Sequence, residues 1–120
     1  ETGLKSGGNL VIEPTEALTV IDVNTAKSIS KKTSEETYLK TNLEAAEEIA
    51  VQLRLRNLSG IIIVDFIDMK EEESRKTLLA ALRRAVTADP VKTVLVDMTP
   101  LGLVELTRKK IRRPLHEQVR

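Results

Sequence analysis

Three side chains have the type and spacing to do chemistry: Asp22, Asn24 and Asp65, in the strings "TVIDVN" and "IIIVDF". In each string an apolar strand runs straight into an aspartate. In open α/β sheets, ligands bind beyond the carboxyl ends of strands. If the two strands are neighbours, the two carboxylates lie within a few ångströms. As bare anions they repel, and one takes up a proton. A hard cation such as Mg²⁺ or Mn²⁺ relieves the repulsion, because such ions prefer carboxylate oxygen. Asn24 shares a face with Asp22 in a period-two strand, so its amide is placed to orient a water or a substrate. Asp68 reads differently: Asp68-Met69-Lys70-Glu71 has the spacing of a capping box, worth roughly 1 kcal/mol at a helix start.

Other chemistries are poorly provisioned. The single histidine, His116, follows Pro114 near the C-terminus, and there is no cysteine. Histidine-based triads, zinc sites and disulfides are therefore not expected within these residues, and a cysteine-free chain fits a reducing, cytoplasmic setting. No apolar run approaches the roughly 20 residues of a membrane-spanning helix. The net charge is only +1, but five of the six residues of "RKKIRR" from Arg108 to Arg113 are basic. A phosphate backbone is the natural partner of such a cluster, which marks Arg108, Lys109 and Lys110 as candidate nucleic-acid contacts.

These residues need elements to hold them. With 41% apolar and 31% charged residues, the 120-residue chain has the composition of one globular domain. Residues 10–13 and 17–24 around Pro14-Thr15-Glu16 predict a hairpin. The polar, lysine-bearing residues 25–33 predict a loop. A capping box at Thr33–Glu36 opens a helix to about Arg56, with Leu39, Leu43, Ala46, Ala50 and Leu53 at helical spacing. The run 61–67 is apolar on both faces and predicts a central strand covered by helices. A second helix is expected from about Lys70 to Ala88, then strands at 92–97 and 103–107. The fold class is α/β: a single-domain mixed β-sheet with two long helices, in the order β-β-α-β-α-β-β.

Three strings carry a resemblance: "LKSGGNLVIEPTEALTVIDVN", "TNLEAAEEIAVQLRLRNLSGIIIVDFIDM" and "GLVELTRKK" resemble the catalytic core of the ribonuclease E/G family over roughly residues 4–114. The resemblance implies the deoxyribonuclease-I-like subdomain of an endoribonuclease that cuts single-stranded RNA, leaving 5′-phosphate and 3′-hydroxyl ends. It makes Asp22 and Asp65 the Mg²⁺ ligands and Asn24 a catalytic partner. It further implies a division into a catalytic subdomain at residues 1–114 and a tail at 115–120. That tail would lead to a downstream Cys-Pro-x-Cys zinc link joining protomers into a homo-oligomer. An oligonucleotide-binding domain and a ribonuclease-H-like subdomain would lie upstream, making this chain a piece of a larger enzyme.

Two readings from other classes compete. A non-catalytic RNA-binding or assembly module would offer only a surface. A phospho-receiver domain also ends a central strand on an aspartate, but it needs an acidic pair after its first strand and a lysine after a late Ser/Thr. Here no acidic doublet accompanies Asp22, and Thr99 is followed by Pro100.

Overall fold

The two apolar stretches on either side of Pro14-Thr15-Glu16 form the expected hairpin. In the computed structural model, which describes residues 2–25, 35–99 and 102–110, strands β2 (Asn9–Pro14) and β3 (Thr19–Asn24) pair antiparallel. Thr15 closes the turn: its Oγ1 donates to the Leu18 carbonyl at 2.6 Å and accepts the Leu18 N–H at 3.1 Å. A two-residue strand at the edge, β1 (Thr2–Gly3), joins β2 and was not expected from its composition. Along β3, Thr19, Ile21 and Val23 are buried, while Val20, Asp22 and Asn24 face the other way and stay half-buried.

Helix α1 (Glu35–Leu55) carries glutamates in its first turn and Arg54 in its last, as the helix dipole favours. Its buried stripe includes three alanines (Ala45, Ala46 and Ala50) with Ile49 and Leu53, and the helix packs closely against α2 (Glu72–Thr87). It ends in a Schellman motif. Asn57 takes a left-handed conformation (φ 49°), Leu58 N–H bonds the Leu53 carbonyl at 3.1 Å, and both leucines are buried. The capping box expected at Thr33 lies outside the described residues.

Strand β4 (Gly60–Asp65) follows, then helix α2 (Glu72–Thr87) and strands β5 (Thr93–Met98) and β6 (Leu103–Arg108). The six strands form one mixed sheet in the order β1-β2-β3-β4-β6-β5. Only β3 and β4 run parallel; β4–β6 and β5–β6 are antiparallel. That topology departs from the all-parallel sheet of a receiver domain.

One core joins both helices to one face of the sheet, around Ile21, Ile62, Val64, Val104 and Leu106, none of them exposed to solvent. Burying each such side chain stabilises the fold by roughly 1.5–3 kcal/mol. The expectation that β4 is covered on both faces does not hold. Ile62 and Val64 are sealed, but Ile61 on the opposite face is 42% exposed and Ile63 only half-buried. Both helices serve the same face, and the apolar run alone does not reveal that. On the edge, β5 is broken by a bulge between Leu95 and Asp97, an irregularity that discourages pairing with another chain. Among the described residues no helix is long and apolar enough to cross a membrane.

Candidate functional site

The open face of the sheet brings the two aspartates together. β3 and β4 run parallel in the register Thr19↔Ile62 to Asp22↔Asp65, so the aspartates stand directly opposite each other on adjacent strands. Neighbouring strands lie about 4.8 Å apart, which puts the two side chains side by side at the strands' carboxyl ends. The Asp65 carboxyl registers this crowding. Partial desolvation pushes its carboxyl above the ordinary aspartate value, and the negative charges of Asp22 and then Asp68 push in the same direction. The site thus stores electrostatic repulsion that a cation would relieve.

Asn24 is two residues further along β3, on the same face as Asp22. Its Nδ2 donates to Asn9 Oδ1 at 3.0 Å, across the register pair Asn9↔Asn24. That bond fixes the amide plane. Beneath it, Gly8 approaches so closely that a Cβ there would sit 2.4 Å from the Asn24 carbonyl oxygen and 3.1 Å from Thr41 Cγ2. Only glycine fits, and the close approach seats the end of β3.

Asp68 does not cap α2. The N-cap position belongs to Glu71, which makes no side-chain cap bond. The amides of Lys70 and Glu71 instead donate to the carboxylate of Glu35 on α1, at 3.2 and 2.8 Å. The Glu71 amide bond is the main reason the Glu35 carboxyl is held below its ordinary value. Residues 68–71 turn toward the other helix, and a local capping box gives way to this longer-range partner. Asp68 is left facing Asp65 across a cavity of about 50 Å³ also lined by Arg75, Met98 and Gly102, enough for ordered water.

The donor set suits a hard cation with few protein ligands. Among the described residues no group of three or more His, Cys, Asp or Glu side chains is assembled to hold a metal. A cation between Asp22 and Asp65 would draw its other ligands from water and substrate. Mg²⁺ is usually bound that way, by one or two carboxylates with waters and phosphate oxygens.

The basic residues lie elsewhere. Because β6 is antiparallel to β4, Arg108 pairs with Gly60, at the opposite end of β4 from Asp65. Five steps of roughly 3.3 Å separate the two ends by about 17 Å. Arg108 is moreover only 3% exposed and is committed to the fold. Its Nε donates to Asp89 Oδ2 at 2.8 Å, and its Nη1 donates to Asn57 Oδ1 and the Leu58 carbonyl at 3.0 and 2.9 Å. The expectation that Arg108 meets RNA is corrected on that ground: its guanidinium is sealed and spent on an internal ion pair. Lys109 and Lys110 are exposed. Residues 111–120, with the rest of the basic run and the tail at 115–120, lie outside the described residues, as do residues 26–33 of the lysine-bearing loop expected at 25–33.

Sequence reasoning missed Asn9, Asn42 and Glu35 as supports of the site. Asn42 had a readable signal, a polar residue within the apolar stripe of α1; the other two are distinguished only by where the chain brings them.

A family model described as the ribonuclease E/G family matches residues 1–111. The chain is 51% identical to ribonuclease G of Salmonella typhimurium (strain SL1344) over 91% of its own length and 22% of the relative's. It is 49% identical to ribonuclease G of Escherichia coli (strain K12), over 93% of this chain and 23% of that protein. Ribonuclease E of Nostoc sp. (strain PCC 7120) is 51% identical over 95% of this chain and 17% of its own length. The chain thus spans about a fifth of the length of these relatives.

Proposed function

Since this chain belongs to the ribonuclease E/G family, we propose that it is the core of a metal-dependent endoribonuclease that hydrolyses phosphodiester bonds in single-stranded RNA. The observation that carries the reading is the in-register pairing of Asp22 with Asp65 at the carboxyl ends of two parallel strands. Each would give a carboxylate oxygen to one Mg²⁺, with Mn²⁺ a plausible substitute in the same oxygen-donor set. When bound, the ion would lower the pKa of a water and draw charge from the scissile phosphate.

The chain's own residues do the rest. Asp65, whose carboxyl is pushed above the ordinary aspartate value by desolvation and by its acidic neighbours, is the carboxylate whose repulsion a bound cation would relieve. Asn24, its Nδ2 tied to Asn9, presents Oδ1 as an acceptor for a hydrogen of the attacking water. In-line attack on phosphorus with the 3′-oxygen leaving gives a 5′-phosphate and a 3′-hydroxyl. Lys109 and Lys110, at the far end of the sheet, would meet the RNA backbone away from the bond being cut. Assembly into a homo-oligomer and a zinc link would belong to the larger polypeptide, as would a cytoplasmic address.

The test is a Mg²⁺ titration of the 120-residue chain followed by amide NMR, with D22N alongside. Saturable shifts confined to the neighbourhood of Asp22 and Asp65, and absent from D22N, support the reading. Shifts spread over Glu71, Glu72 and Glu73 would reduce the site to surface counterions and favour a non-catalytic RNA-binding module.

A further inference from the structure

Asn42 is fully buried on the core-facing stripe of α1, beside Ala45, Ala46 and Ile49. A buried amide without partners costs roughly 1–3 kcal/mol by mutational measures, so its bonds must justify its presence. Both ends of the side chain engage one backbone unit: Nδ2 donates to the Ile67 carbonyl at 2.9 Å, and Oδ1 accepts the Ile67 N–H at 3.0 Å. This is the pair of bonds that a neighbouring strand would make, supplied by a helix side chain two residues after β4 leaves the sheet at Asp65.

Ile67 lies between Asp65 and Asp68, so the grip falls on the backbone that carries both carboxylates. Other contacts complete the hold on the same segment. Arg75 Nη1 donates to the Met69 and Lys70 carbonyls at 2.7 and 3.1 Å, and Glu35 takes the next two amides. On the preceding position of α1, buried Thr41 lies against Gly8, under the Asn24 carbonyl. Two consecutive residues of one helix therefore touch the supports of both halves of the site.

We propose that Asn42 is a positioning residue of the two-carboxylate site: through Ile67 it fixes the backbone just beyond Asp65, so that Asp65 stands ready beside Asp22 for a divalent cation before one arrives. The inference rests on the metal reading above, and its test separates the two. The variants are N42L, which removes both bonds, and N42D, which keeps the volume and the acceptor for the Ile67 N–H but loses the donor. In the metal-free 120-residue chain, backbone order parameters at Asp65–Asp68 should fall from about 0.85 toward 0.6 or lower in folded variants, while β3 stays rigid. The Mg²⁺ dissociation constant read at the Asp22 and Asp65 amides should rise about 10- to 100-fold, the usual cost of removing an outer-shell support.

A folded variant with unchanged order at 65–68 and unchanged Mg²⁺ affinity, even if it melts earlier, overturns the positioning role. If N42L does not fold, N42D decides alone. If the parent chain binds no Mg²⁺ at Asp22 and Asp65, the metal reading fails and the proposed preparation for a cation falls with it. The order parameters then still decide whether Asn42 holds the segment.

Discussion

Replacing Arg108 with methionine should destabilise the domain severely, and the structure sets the scale. The side chains of Arg108 and Asp89 are 3% and 1% exposed. R108M would delete the 2.8 Å bond from Nε to Asp89, a longer one of 3.4 Å from Nη2, and the donor to the Leu58 carbonyl. Breaking a buried pair by removing one partner costs about 3–5 kcal/mol, because the other charge is stranded. Asp89 would keep the Val91 amide at 2.9 Å and the Thr93 hydroxyl at 3.3 Å, so the lower end, about 3 kcal/mol, is expected. Against a total stability of roughly 5–15 kcal/mol that is a large share. Urea unfolding at pH 7, followed by circular dichroism, measures it.

The double variant D89N/R108M, which removes the stranded charge, should recover much of the loss. K109A/K110A should stay within about 0.5 kcal/mol of the parent, as exposed substitutions usually do. The pH dependence has a definite sign. Burial pushes the Asp89 carboxyl up, but the Arg108 bond, the Val91 amide and the Thr93 hydroxyl outweigh it, leaving a net lowering from the ordinary 3.8. A depressed folded value means that this stabilisation is present above pH 3.8 and is lost as the pH falls through the folded value. R108M should lose less than the parent over that window. An R108M protein as stable as the parent, with weakened RNA binding, would refute the reasoning and restore Arg108 as a surface contact.

Two further outcomes are expected. D65N should stabilise the metal-free protein near neutral pH. A raised carboxyl contributes stability that is full below the ordinary 3.8 and declines as pH rises through the folded value, so removing the charge should raise the melting temperature while abolishing the rise that Mg²⁺ gives the parent. A lower melting temperature for metal-free D65N would show that the carboxylate is not under repulsion. G8A should cost about 1–3 kcal/mol, as overpacking does, because its Cβ meets backbone oxygen at 2.4 Å; unchanged stability and unmoved Asn24 amide signals would count against a tight seat for β3.

What could be read from the sequence was whatever is settled by near neighbours. The hairpin is there because an apolar stretch at 10–13 and a period-two stretch at 17–24 flank a proline turn, and the carboxylate pair because two apolar runs each end on aspartate. The helix stripe from Leu39 to Leu53 follows from spacing alone. The errors lie where distant chain decides. Asp68 has capping-box spacing, but Glu35 reaches the same amides from another helix. The basic run from Arg108 looks like an RNA contact, yet the antiparallel direction of β6 carries Arg108 to the far end of the sheet, where it is turned inward. Four consecutive branched residues, Ile61–Val64, suggest two covered faces, and only the packing of both helices on one side shows otherwise.

The side-by-side aspartates also obey a parity rule. Successive strand residues point to opposite sides, so one residue inserted between Thr19 and Ile21 would turn Asp22 toward the helices and send Ile21 out to water. Two insertions would restore its facing but carry it a rung beyond Asp65. Length changes in this lineage should therefore gather at the turn joining Pro14 to Thr19 or past Asn24, and spare the six residues between.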